Sequence, residues 1–332
     1  MLMTKQIAKW ASRKCPKFLC GLIPLFFLIL AVSPVSFAGV DAMPHLRLGA
    51  GARSIGLGGA FTAIADDATA TVWNPAGLGS AADLSLNFST QRLDLDRSHN
   101  FIALTKALGS AGSIGIAVTN AGVSGIQQYD NKENYGGEFD YSANAYSLSY
   151  GIGIGNFSVG LTGRMLADNF GLDTVENQSG FGGVDVGLMG HALHIDVGEE
   201  MVPTFHYGVV AKYLGASIGD DIVPMVVNVG LAYNLYMGNV VTFAADLEQE
   251  FVNLDESATS LRLGAEYTIV TYKSTALSIR GGVKASRDVQ SLFGGFGVNI
   301  GGLQIDYAIQ DGMASEINGV GSTHFASLSY RY

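Results

Sequence analysis

From residue 83 onward the chain repeats one pattern: runs in which apolar and polar side chains alternate, separated by clusters of Gly, Asn, Asp and Ser. Phe157, Val159, Leu161 and Met165 alternate with Ser158, Thr162 and Arg164. Val241, Phe243, Ala245 and Leu247 alternate with Thr242, Asp246 and Glu248. Leu261, Leu263, Ala265, Tyr267 and Ile269 oppose Arg262, Glu266 and Thr268. Leu277, Ile279 and Val283 oppose Ser278, Arg280 and Lys284, and Leu303, Ile305, Tyr307 and Ile309 oppose Gln304, Asp306 and Gln310. Successive side chains of a strand point to opposite faces, so each run predicts a strand with one apolar and one polar face. Read this way, the sequence predicts about fourteen strands, near residues 83–91, 98–108, 111–120, 140–153, 155–168, 180–196, 204–214, 223–236, 239–251, 258–270, 275–286, 288–300, 302–311 and 321–332.

Alternation fits a soluble sandwich with the apolar face inward, or a membrane barrel with that face toward lipid. Length separates the two. Tilted strands of about 9–11 residues cross a bilayer, whereas strands of globular proteins run nearer 5–6. The runs here have the longer dimension. Charges of both signs on the polar faces suit a wet lumen, where Arg164, Asp246, Arg262, Glu266, Arg280 and Lys284 find partners. Tyr150, Tyr213, Tyr236, Phe251 and Tyr267, near strand ends, suit an interfacial aromatic girdle. The fold expected is therefore all-β: an antiparallel transmembrane β-barrel of about 14 strands. An even number lets the termini meet and leaves no sheet edge in lipid. Residues 121–139 and 169–180 read as external loops, and Gly155-Asn156 and Gly238-Asn239 as tight turns.

Composition agrees. Apolar residues make up 48% of the chain and charged residues 14%. Yet no stretch beyond the N-terminus has the ~18 consecutive apolar residues of a membrane helix. The N-terminus reads as a signal peptide: Lys5, Lys9, Arg13, Lys14 and Lys17, then an apolar run from residue 19 to 32, then Ser36-Phe37-Ala38. Cleavage is expected after Ala38, making residues 1–38 the signal peptide, 39–82 an N-terminal segment and 83–332 the barrel. Five of the 19 basic residues leave with it, so 14 basic residues face 29 acidic ones, a formal charge of −15. Cys15 and Cys20 leave too, which removes thiol, disulfide and cysteine-metal chemistry. So acidic a chain is a poor nucleic-acid partner.

The last residues alternate again. Ala326, Leu328, Tyr330 and Tyr332 share one face; Phe325, Ser327, Ser329 and Arg331 share the other. This ending resembles the C-terminal signal, here Leu328, Tyr330 and Tyr332, by which barrel-assembly machinery recognises outer-membrane barrels. At the other end, residues 48–80 are rich in Gly and Ala and lack alternation. Gly49-x-Gly51 lacks both the third glycine and the strand–loop–helix setting of a dinucleotide fingerprint. Residues 59–67 suggest a short helix, and Asn74-Pro75 a turn.

The run from Gly51 through Trp73-Asn74-Pro75-Ala76-Gly77-Leu78 resembles the N-terminal segment of FadL-type outer-membrane proteins, most of all their PorV/PorQ branch. Ile305-Asp306-Tyr307-Ala308, with Ser327-Leu328-Ser329-Tyr330, is similar to the same branch. The resemblance implies a fourteen-stranded barrel in the outer membrane whose N-terminal segment folds into the lumen as a hatch. It implies hatch or gate roles for Gly56, Gly58, Gly59, Asn74, Pro75 and Ala76. Two functions follow. A conduit for small hydrophobic compounds predicts an apolar pocket between hatch and wall, with Leu57, Phe61, Ile64 and Val72 as contacts. A PorV-like secretion accessory predicts a plugged barrel that binds cargo or secretion-system proteins at its outer loops. Outer-membrane lipid surrounds either.

Other chemistry finds little foothold. A three-residue spacing should put His191 and His194 on opposite faces of a strand. Asp94 and Asp96 share a face but lack a third ligand. No G-x-S-x-G or H-E-x-x-H occurs. The reading is of a non-enzyme with no cofactor and no metal.

Overall fold

The computed structural model describes residues 42–332 except 95, 173–174, 198–199, 252–256, 272–274, 287–289 and 312–321. The expected signal peptide lies outside the described residues. Fourteen strands close into a barrel: β1 (Leu84–Arg92), β2 (Arg97–Ala107), β3 (Ser113–Tyr129), β4 (Tyr135–Ile154), β5 (Phe157–Asn169), β6 (Gln178–Val197), β7 (Glu200–Leu214), β10 (Met225–Tyr236), β11 (Val240–Phe251), β12 (Ser257–Val270), β13 (Thr275–Ser286), β14 (Gln290–Ile300), β15 (Leu303–Gln310) and β16 (Thr323–Arg331). Two further short strands, β8 (Ser217–Ile218) and β9 (Asp221–Ile222), form a separate hairpin between β7 and β10. All barrel neighbours are antiparallel, and β1 pairs with β16 to complete the ring. The seam is tight: Tyr332 N–H donates to the Leu84 carbonyl at 2.9 Å, and Leu84 N–H to that of Tyr332 at 3.3 Å.

The wall is inside-out relative to a soluble protein. Along β1, Ser85, Asn87, Ser89 and Gln91 are buried while Leu86 and Phe88 are exposed. On β5, Ser158, Thr162 and Arg164 face in, and Leu161 and Met165 face out. Leu328 on β16 stands outside, opposite Phe88 and Ile305. A continuous apolar exterior around a polar interior is what a barrel in lipid requires. No helix among the described residues is long and apolar enough to cross a membrane.

Three expectations need correcting. Residues 121–139 are not a loop: β3 and β4 continue through them and turn only at 130–134. Residues 59–67 are not a helix; the short helices are Ala52–Gly56 and Ala70–Trp73. Gly58 and Gly59 both have positive φ, which ends the first helix. Finally, Tyr213 is no girdle residue. It is 5% exposed and faces the lumen, with φ 62, over the Arg164 guanidinium at 4.8 Å.

Candidate functional site

Residues 42–83 run inside the barrel from the end bearing the long connections to the end bearing the tight turns, where they enter β1. The path starts at a 3₁₀ turn, Pro44–Arg47, preceded by Met43 at φ 54. There Tyr213 Oη donates to the Leu46 carbonyl at 3.0 Å. Met43 packs among Ala143, Ala145, Leu166, Tyr213, Ile218, Val223 and Val226, one of the apolar patches of the lumen.

The wall then holds the hatch by its backbone. Gly51 N–H donates to Ser89 Oγ and Ala52 N–H to Ser327 Oγ, each at 3.2 Å. Phe61 and Thr62 N–H groups both donate to Asp246 Oδ2, at 3.0 and 2.9 Å. These contacts answer the hydrogen-bonding needs of a backbone that has little secondary structure of its own. Contact is also steric. A Cβ on Gly282 would lie 2.2 Å from Gly58 N, so wall and hatch meet glycine to glycine. Gly56 rests on Arg280 and Ala308, and Gly59 on Arg262 and Trp73.

Asn74 organises the far end. Its Oδ1 accepts from Ala76 N–H at 3.1 Å, capping the 3₁₀ turn Pro75–Ser80. Its Nδ2 donates to the carbonyls of Thr62, at 2.9 Å, and Leu188 on β6, at 3.3 Å. One amide therefore ties two parts of the hatch to each other and to the wall. The Pro75 carbonyl sits against Gly151 and Gly160.

Ion pairs fix the flanks. Arg280 bonds Glu266, and also Asp306 at 2.6 Å. Arg53 on the hatch reaches Glu266 at 3.3 Å and Asp66 at 2.6 Å. Enclosure by the wall alone would push the Asp66 carboxyl up, but the Arg53 and Arg331 guanidiniums outweigh it and hold it at about 2. Arg164 grips Asp185 through both terminal nitrogens, at 3.2 and 2.9 Å. Arg262 and Lys284 share Glu248, at 2.5 and 3.9 Å.

Between hatch and wall lies a cavity of about 140 Å³. Leu48, Ile55, Trp73, Leu93, Phe293 and Phe325 form its apolar side; Arg47, Gln91, Arg262, Lys284 and Gln310 form its polar side; and Gly58 and Gly59 complete it. The four residues expected as pocket contacts are not among those lining this cavity. Leu57, Phe61 and Ile64 are buried in the hatch core with Ile55, Trp73 and Leu78, and Val72 packs against that core. Sequence reading passed over Trp73, Phe293 and Phe325. Phe325 had a signal: an aromatic ring on the polar face of its strand.

The histidine expectation also fails. His191 and His194 lie with ring centroids 5.4 Å apart, and His206 is 6.4 Å from His191. Leu193, between the first two, has φ 54, so the two-residue period does not carry across it. Asp94 and Asp96 lie in the turn between β1 and β2. Among the described residues no three potential ligands are arranged to hold a metal ion.

No family model matches the chain, and no curated protein is similar to it in sequence. Solved structures are similar in shape. The toluene transporter TodX of Pseudomonas putida has a TM-score of 0.58 at 11% identity, over 86% of this chain and 99% of that one. The toluene transporter TbuX of Ralstonia pickettii has a TM-score of 0.54 at 14% identity, over 86% and 98%. A FadL homologue of Pseudomonas aeruginosa has a TM-score of 0.51 at 8% identity, over 84% and 98%. At such identities the likeness is one of fold: this chain is built as the toluene transporters and the FadL homologue are built.

Proposed function

We propose that this chain is a FadL-type barrel of the outer membrane that conducts small hydrophobic compounds, with residues 39–82 as its hatch, residues 83–332 as its barrel and residues 1–38 as a signal peptide cut after Ala38. The observation that carries the reading is the cavity of about 140 Å³ between hatch and wall. An apolar cavity of about 150 Å³ accepts a benzene ring, so this one suits a compound of that size. In this reading Gly56, Gly58, Gly59, Asn74, Pro75 and Ala76 seat the gate, and Trp73, Phe293 and Phe325 replace Leu57, Phe61, Ile64 and Val72 as ligand contacts. Two of the similar folds belong to toluene transporters, which supports transport in place of catalysis. Leu328, Tyr330 and Tyr332 serve recognition by the assembly machinery. The PorV/PorQ placement and a secretion partner rest on the two end motifs alone.

Uptake of labelled toluene by cells with and without the chain tests the proposal. Faster uptake that is lost in Phe325→Asp supports it. Equal uptake in the two strains, with the barrel folded in the outer membrane, sinks it.

A further inference from the structure

We infer that the hatch–wall cavity takes a single-ring aromatic carboxylate, with its ring among Trp73, Phe293 and Phe325 and its anionic group at Lys284. The inference rests on the conduit reading and names the substrate class for that site. Size is the first constraint: about 140 Å³ holds one ring and no long chain.

Charge is the second. Lys284 sits 3.9 Å from Glu248, at the outer limit of an ion pair, and 34% of its side chain is accessible. Glu248 is already taken by Arg262 at 2.5 Å. Asp246 is committed to the Phe61 and Thr62 amides. Arg47 and Glu250 neutralise each other. Among the described residues Arg47, Arg262 and Lys284 line the cavity and no carboxylate does, so its polar side is cationic and faces aromatic rings. A monovalent anion seated there gains a charge-assisted contact with the partly accessible Lys284. A neutral hydrocarbon fills the apolar side and leaves the cationic side unanswered; a free inorganic anion answers the cations and leaves the apolar side wet. An aromatic carboxylate does both.

Calorimetric titration of the full chain in detergent tests this with four probes: benzoate, its neutral isostere benzamide, acetate and toluene. Benzoate is expected to bind at least about tenfold tighter than benzamide or acetate, the scale of one hydrogen bond to a charged group. Lys284→Met should erase the preference, and Lys284→Arg should keep it. Equal affinity for benzoate and benzamide overturns the inference. So does acetate matching benzoate, which marks an adventitious ion only. Should Lys284→Met fail to fold, the wild-type benzoate-to-benzamide ratio decides alone. Toluene binding without benzoate binding removes this inference and leaves the conduit; no binding of any ring removes both.

Discussion

The amide of Asn74 occupies the space that a side chain at position 187 would need: a Cβ on Gly187 would come 2.1 Å from Asn74 Oδ1. Because Asn74 also bonds Thr62, Leu188 and Ala76, it cannot yield without releasing the hatch. Gly187→Ala is therefore expected to loosen the hatch without opening the barrel. Overpacking costs about 1–3 kcal/mol. The check is limited proteolysis of residues 59–80 in folded barrels, set against single-channel conductance. Cleavage as slow as in the parent would show that the fit at this point is not what holds the hatch.

Arg280 is the hub of the wall's charge cluster, bonded to Glu266 and Asp306, and all three are nearly buried. Arg280→Met leaves Asp306 without its cation and Glu266 with Arg53 alone. Breaking a buried pair from one side costs about 3–5 kcal/mol. The midpoint of urea unfolding in vesicles should fall accordingly. Adding Glu266→Gln and Asp306→Asn should recover most of the loss, since neutralising the buried partners is often close to neutral and Arg53 keeps Asp66. A triple variant no more stable than Arg280→Met would mean that packing, not charge, is at stake.

Each of the fourteen predicted strands has its counterpart, because lipid outside and water inside impose the alternation that the windows around 157–165 or 261–269 display. The alternation fades where the β3–β4 hairpin runs on to Tyr129 and Tyr135. Both are exposed, and that stretch was misread as a loop. The hatch was legible only as a Gly/Ala-rich stretch. Its bends are dictated by wall groups, such as Asp246, nearly two hundred residues away, which no local pattern reveals. Tyr213 and His194 were misplaced for a related reason. Tyr213 itself and Leu193 adopt left-handed conformations, and a side-chain period assumes that no such residue interrupts it. The cavity was least legible, since it is the gap left between two surfaces and not a property of either.

His45 gives the hatch entrance a dependence on pH. It is 7% exposed, its Nε2 has no partner, and its ring lies 6.4 Å from that of His99. Burial, then the Arg164 guanidinium, lower it from 6.5 to about 4. A base whose pKa falls on docking favours the docked state while neutral. Docking of residues 42–48 is thus fully supported above pH 6.5 and weakens as pH drops toward 4, by up to about 3 kcal/mol. A spin label at Ala42 should gain mobility over that interval, and His45→Phe should abolish the change. Mobility rising instead above pH 7 would contradict the sign.

Removing the hatch is the most direct perturbation. Deletion of residues 48–80 takes away the segment that fills the lumen but none of the strands, and the β1–β16 seam closes without it. The wall keeps its polar inner face, Ser85, Asn87, Arg164 and Arg280 among others, which water can solvate. The shortened chain should therefore still fold, shift on heating as barrels do, and form a stable open pore where the parent is closed. Truncation of residues 329–332 is expected to do the reverse. It removes the partners of Ser85, Leu86 and Asn87 on β16 and the Leu84–Tyr332 bonds, so the sheet keeps an open edge that lipid does not tolerate. Planar-bilayer conductance of the first variant and outer-membrane fractionation of the second provide the readouts. Parental conductance after the deletion would mean that the hatch is not the barrier, and that the lumen is closed instead by the loops at its outer end.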